Sequence, residues 1–544
     1  MWPLIPLLLV GVFATAQTAG AGPSTRSAAL EHRSWQFHDP DWTHLQQAIP
    51  NARRSGMNRI QLSHNVIMNA QQLWDGNDAA KRLDLVRKII DLAHRNDLKV
   101  DLWTHELSGE PAGLAATKTP PEKIWQSVRE KYDRLFRLLP EIDGLVLTFA
   151  ETQVAVYKTA ISPDPPAQRV ARLIDVMSQA CAAHGKLLIV RTFVYEPAEL
   201  ESMRQALHAV AERVGPRGNV VVMTKCVPHD WTPFYPYDPL LGDVAGLPQA
   251  VELDLGQEFT GQSSLLHCEV DYVSRVMAHA RSRNVVGAVA RVERLANHAL
   301  LTPNEVNIHA FSRLCLDPSP DADQLWAEWA AARYGKDAAP HVVAALKNTF
   351  DITNLICFPL EQWITNHSVL PNWSYAIGHV RQRSNSKWIS SPRQERLRDE
   401  LLSPSPATLI RILNEKDLAK RLVDESMGQL AEARSHLAEA DYAELKLHFA
   451  RLAAAVQIAR EHNLALFTTQ MLIDPVARAR LARDDAELFR QRVSEHLSAL
   501  RRLAGMLESG ELPPSILATP SALRAFAKET EAKLTPSPSG RGPG

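Results

Sequence analysis

Eight short β-branched or aliphatic runs at a steady interval constrain this chain more than any other feature. They occupy 35–37, 58–63, 99–104, 144–149, 187–194, 219–224, 251–256 and 285–292, a mean step of about 36 residues from start to start. Most are separated by helical patterns. In 79–96, apolar Leu83, Val86, Ile89, Ile90, Leu92 and Ala93 recur at helical spacing. Eight strands alternating with helices at that step predict an α/β fold, a (β/α)8 TIM barrel over 30–320. A doubly wound open sheet is the competitor, but no GxGxxG turn follows any early strand.

From about 321 the strand signal stops. Long Ala-, Leu-, Arg- and Glu-rich amphipathic stretches predict an all-α C-terminal domain over 321–530, followed by a flexible Pro-, Ser- and Gly-rich tail over 531–544. At the other end, the apolar run 3–13 is too short to span a bilayer. It precedes Ala14-Thr15-Ala16 and Ala19-Gly20-Ala21, small-residue patterns suited to signal peptidase. Residues 1–21 are therefore expected to be a signal peptide, and the product secreted or periplasmic with no membrane span. A homodimer through the helical domain is one arrangement; simple buttressing of the barrel is the other.

Net charge serves mainly to exclude. Lys and Arg number 60 against 61 Asp and Glu, which argues against a nucleic-acid partner or a polybasic membrane binder. Cys181, Cys226, Cys268, Cys315 and Cys357 are odd in number and lack CxxC spacing, so they predict neither a zinc site nor a disulfide framework, only buried thiols. His64, His105 and His229 lack HxH or HExxH pairing, so no metal and no cofactor is expected.

In such a barrel the functional groups lie just past the carboxyl ends of the strands. Those positions hold His64, His105 with Glu106, Glu151, Arg191, Lys225 with Asp230, Glu258 and Glu293. Carboxylates recur around one mouth, with an Arg and a Lys between them. Two carboxyl groups flanking a bond are the minimum for glycoside hydrolysis, one protonated to donate and one ionised. Glu151 follows an apolar lead-in, which suits a general acid raised by desolvation. Asp230 or Glu258 would activate water. For Arg191 a barrel-interior ion pair with Glu151 or Glu258 is an equal alternative to ligand binding.

The stretch Thr224 to Asp230 resembles the KNGPxDF segment of the α-glucuronidases of glycoside hydrolase family 67, and Glu252 to Gln262 is similar to that family's EFQITQEYxGQ segment. Glu151 falls in the place of its NSEGQ segment, and Val190 to Tyr195 in that of WRAFVYD. Asn307 to Leu314, followed by Asp317-Pro318, resembles NLYAFGRLAWNP. The resemblance covers about 50–335 and implies an exported, inverting glycoside hydrolase acting on a carbohydrate substrate. It would release a terminal α-linked uronic acid from a plant or algal polysaccharide such as xylan.

Carried over, the resemblance makes Glu151 the general acid, with Asp230 and Glu258 as the base and its partner. Arg191 and Lys225 would hold the uronate, with Trp231, His105 and Glu293 completing the substrate-binding set. The family's N-terminal α/β domain is expected to be missing. A Lys of the family pattern is Leu147 here, which leaves a neutral or N-acetylated sugar as a second enzyme reading. A non-catalytic carbohydrate-binding barrel is the reading from another class.

Overall fold

A computed structural model describes residues 29–107, 121–149, 156–157, 162–215, 218–382, 388 and 391–535. The general-acid candidate Glu151, the expected leader 1–21 and residues 536–544 of the expected tail lie outside the described residues.

All eight expected strands form. They are β1 (His32–Phe37), β2 (Arg59–Leu62), β3 (Lys99–His105), β4 (Gly144–Thr148), β5 (Leu187–Arg191), β6 (Val220–Lys225), β7 (Gln249–Asp254) and β8 (Gly287–Arg291). Each pairs in parallel with the next, and β8 pairs with β1 to close the barrel. Helices follow β1 (Trp42–Arg54), β2 (Ala79–Arg95), β3 (Pro121–Leu138), β4 (Pro166–Ala183), β5 (Pro197–Val214), β7 (Val270–Ser282) and β8 (Glu305–Leu316).

The expected alternation breaks between β6 and β7, where 226–248 contains no helix. Pro228, Pro233, Pro236, Pro239 and Pro248 fall in this connection. Each removes a backbone donor and fixes φ, so no helical run can extend through them.

Alternation along each strand sorts side chains between two cores. Trp103, Val146, Ile189, Val221, Met223, Ala250 and Val289 form a small cluster of their own inside the barrel. Their neighbours Leu102, Leu145, Leu147, Leu188, Val190, Val222, Val251 and Ala288 belong to the larger cluster shared with the helices. At the amino-terminal end the barrel is closed by a buried pair, Arg59 Nε donating to Asp101 at 2.9 Å. Gly144 sits beside it, and a Cβ there would collide with the Asp101 carboxylate.

Beyond the barrel the chain is helical as expected, running through Ala322–Tyr334, Ala339–Leu346, Thr349–Cys357, Trp373–Gln382, Pro392–Leu402, Pro406–Ala433, Glu439–Ile473, Arg483–Ser509 and Pro520–Leu534. The last helix continues past 530, so the stretch expected as tail begins with ordered backbone. Local chemistry starts several of these helices. Asp321 and Ser405 cap with reciprocal side-chain and backbone hydrogen bonds, and prolines occupy first-turn positions after Ser391, Ser405 and Thr519. The 35-residue helix Glu439–Ile473 packs against Pro406–Ala433 and Arg483–Ser509. All five cysteines are buried and unpaired. Among the described residues no helix is long and apolar enough to cross a membrane.

Candidate active site

The alternation that fills the barrel with apolar residues turns polar at its carboxyl end. Ile189 is followed two residues later by Arg191, Met223 by Lys225, Ala250 by Glu252 and Asp254, and Val289 by Arg291. These positions share the inward face, so the last inward layers concentrate charge. Above them lies a cavity of about 300 Å³. Its walls include Arg191, Lys225, Asp230, Trp231, Glu258, Arg291 and Arg294.

Glu258 has the densest set of partners. Arg291 Nη1 donates to Oε2 at 2.9 Å, Arg294 Nη2 lies 2.8 Å from Oε1, and His367 Nδ1 lies 2.7 Å from the same oxygen. Burial alone would raise the pKa of this carboxyl. The Arg291 guanidinium, the His367 hydrogen bond and Arg294 outweigh it and hold the group well below the usual carboxylate range. The backbone is fixed as well: the Glu258 amide donates to Asp254 Oδ2 at 2.8 Å, and Ser368 donates to the Glu258 carbonyl at 2.9 Å. Burial keeps the Asp254 carboxyl raised, opposed by Arg291.

Lys225 is buried against two rings, its Nζ 4.0 Å from the Trp231 centroid and 4.2 Å from that of Phe193. The Asp230 carboxylate stands 3.8 Å away. Desolvation dominates and pulls the ammonium down to about 8, with Asp230 opposing and Arg191 reinforcing the shift. Asp230 is about one-fifth exposed, the most open carboxylate among these groups.

Arg191 combines a buried ion pair with a place in the cavity wall. Its Nε donates to buried Glu252 at 2.7 Å, while the guanidinium lies 4.8 Å from the Trp103 ring and lines the cavity. The ion-pair partner is therefore Glu252, an inward residue of the strand, rather than Glu258.

Two of the expected binding residues sit elsewhere. Glu293 turns to the joint between β1 and β8, where Oε1 accepts from the backbone amides of His38 and Asp39 at 2.6 Å each and Oε2 meets His44 and His298 at 2.9 Å. His105 is buried with Nδ1 3.0 Å from the Met68 carbonyl. Neither lines the cavity. Glu106 likewise accepts from Lys131 at 2.6 Å and from Tyr132, which occupies it structurally. His64 does line the cavity, stacked 3.9 Å from His38 with φ 50°.

Leu147 is also relocated. It is fully buried in the layer between strands and helices, because it alternates with inward Val146 and Thr148. An apolar residue there subtracts nothing from the cavity wall.

Several wall residues had no place in the sequence-based set. Arg291 was legible in principle, as the last residue of a strand whose alternate positions face inward. Trp363, His367, Tyr375 and His379 were not, since they arrive from beyond the barrel on the connection and helix that cross its mouth. That connection is tied down by Gln262 Nε2 donating to the His367 carbonyl at 2.6 Å and the Gly261 amide donating to Ser368 at 2.8 Å. His367 and Ser368 adopt φ of 46° and 70°, and Gln257 adopts 62°. Left-handed backbone at bulky residues costs energy, and surrounding contacts must fix it in place.

Residues 45–308 match the glycosyl hydrolase family 67 middle domain. Alpha-glucuronidase A of Emericella nidulans is 25% identical over 320 residues, which cover 52% of this chain and 35% of that protein. Alpha-glucuronidase A of Aspergillus tubingensis is 24% identical over 282 residues, covering 46% and 32%. The chain thus spans about a third of the length of these relatives. Among solved structures, a GH138 enzyme targeting pectin rhamnogalacturonan II has a TM-score of 0.57 over 92% of this chain and 68% of that one, at 11% identity, a likeness of fold. The chain is a family-67-like protein, its barrel matching the glycosyl hydrolase family 67 middle domain.

Proposed function

We propose that this protein is an exported inverting glycoside hydrolase that removes a terminal α-linked uronic acid from a polysaccharide or oligosaccharide. One observation carries the reading: Asp230 and Glu258 share a cavity of about 300 Å³ with Arg191, Lys225, Arg291 and Arg294. The size suits one sugar ring with part of its neighbour, and an excess of cations suits an anionic sugar. The similarity to alpha-glucuronidases points the same way. Leu147 faces the helices and so gives no support to a neutral-sugar alternative.

The roles divide by environment. Glu258 has both carboxylate oxygens engaged and a depressed pKa, which makes it a poor proton acceptor and a good fixed anion beside an oxocarbenium-like transition state. Asp230 is more open and borders the cavity, and is assigned as the base that takes a proton from the attacking water. The Lys225 ammonium and the Arg191 guanidinium receive the uronate carboxylate, with Trp231 against the ring. Glu151, outside the described residues, is assigned as the acid that protonates the leaving oxygen.

The test is hydrolysis of aldouronic acids by the wild type and by Glu151→Gln and Asp230→Asn. Both variants should lose at least a thousandfold in turnover, and the anomer released first by the wild type should be inverted. Wild-type turnover in Glu151→Gln, or a retained anomer, would overturn the assignment.

A further inference from the structure

Away from the cavity, His44, Glu293 and His298 bring three ligand atoms within 4.8 Å of one another. His44 comes from the helix after β1, while Glu293 and His298 face each other across the short antiparallel hairpin after β8, formed by Glu293–Arg294 and Asn297–His298. The cluster therefore spans the joint between the first and last strands. Sequence spacing could not reveal it, since His44 and Glu293 are 249 residues apart.

Both imidazoles converge on one oxygen. His44 Nε2 and His298 Nδ1 each stand 2.9 Å from Glu293 Oε2, with the two rings 3.7 Å apart. The other oxygen, Oε1, is already saturated by the amides of His38 and Asp39 at 2.6 Å, which aims Oε2 at the two rings. On the far side of His298, Nε2 stands 3.0 Å from Asp39 Oδ2. A carboxylate behind a histidine ring is the arrangement that fixes the tautomer and orientation of a metal-bound imidazole. The side chains are 6%, 0% and 10% exposed for His44, Glu293 and His298, so a bound ion would be shielded but reachable from the His298 side.

We propose that His44, Glu293 and His298 form a site for a divalent cation of the zinc type at the closing joint of the barrel. Two imidazoles and one carboxylate suit zinc, and three protein ligands leave a fourth position for water. A tetrahedral ion about 2.0–2.1 Å from each ligand sets neighbouring ligand atoms about 3.3 Å apart, so the two histidine–carboxylate spacings of 2.9 Å must open by about 0.4 Å. The proton balance is simple. His298 keeps the Nε2 proton facing Asp39 and releases its Nδ1 proton to solvent, while the proton that His44 Nε2 directs at Glu293 is lost to solvent and replaced by one taken up at Nδ1, which frees the Nε2 lone pair for the ion. No redox step is involved. Bound there, the ion would staple the strand that begins the barrel to the one that ends it.

The experiment uses the full chain, stripped with chelator and titrated with Zn²⁺ by calorimetry, with Co²⁺ absorption as a second readout. One equivalent should bind, raise the melting temperature, and give tetrahedral Co²⁺ bands in the visible range. His44→Gln and His298→Gln should each weaken binding at least a hundredfold and abolish the bands. Asp39→Asn should weaken it about ten- to hundredfold while keeping the stoichiometry. Circular dichroism verifies that each variant is folded. Absence of stoichiometric binding to the wild type would overturn the proposal and leave a hydrogen-bonded clasp. So would unchanged affinity in the folded histidine variants.

Discussion

Arg291, the last residue of the eighth barrel strand, donates to Glu258 in the loop after the seventh strand at 2.9 Å. The bond joins adjacent strand ends across the floor of the cavity. Arg294 and His367 engage the other oxygen of the same carboxylate, so one anion collects partners from the barrel, from the hairpin after it and from the C-terminal connection.

Replacing Glu258 by Gln should therefore affect stability and activity together. Losing one partner of a buried pair costs about 3–5 kcal/mol, because the remaining charges stay desolvated. Denaturant unfolding should register a loss of that order, and aldouronic acid turnover should fall at least a hundredfold.

The same carboxylate sets an acid limit. Its folded pKa lies below the unfolded value, so its contribution is present above the ordinary carboxylate range and is lost as pH falls through the depressed value. Wild-type stability should decline steeply below about pH 4, and the decline should be shallower in Glu258→Gln, as thermal melts across a pH series would show.

Lys225 imposes a limit on the alkaline side. Its ammonium is pulled down to about 8, so it loses charge as pH rises through that value. KM for a uronic acid substrate should climb above pH 8 while kcat changes little. Lys225→Met should start with a raised KM and show no such climb. The sign for stability is opposite: desolvation penalises the folded charged form below about 8, and the penalty fades as pH rises toward the unfolded value.

The pair of Arg191 with Glu252 separates structure from substrate binding. Arg191→Met or Glu252→Gln alone strands a buried charge and should cost about 3–5 kcal/mol. The double substitution with Met at both positions should recover much of that stability. Activity on uronic acids should stay low in the double variant if Arg191 also holds the substrate, which a stability and KM comparison would reveal.

Leu147→Lys tests the direction of one side chain. If this position pointed into the cavity, the added cation would lower KM for an acidic sugar. Because it is buried among the strand and helix side chains, the substitution should cost several kcal/mol without lowering KM.

The barrel was legible because each strand needed only its own neighbours to declare itself. Aliphatic runs at regular intervals, separated by helical spacing, leave few ways to bury eight strands, and period-2 alternation sends Arg191, Lys225 and Arg291 inward together. Strand-end reading also named Asp230, Trp231 and Glu258, which do line one cavity. It did not distinguish Glu293 and His105, which lie off that cavity, since proximity to a strand end does not say which way the following turn throws the side chain. Glu293 was captured by the amides of His38 and Asp39, and His105 faces the Met68 carbonyl.

What the amino-acid sequence determined by itself is the order and spacing of the elements, and hence a closed parallel barrel followed by helices. What tertiary structure alone decided is which distant residues meet. His367 reaches Glu258 across 109 positions, and His44 reaches Glu293 across 249. Local pattern carries information over a few residues, through backbone geometry and side-chain period. Pairings at that range are set only when the barrel closes and the C-terminal connection folds across its mouth.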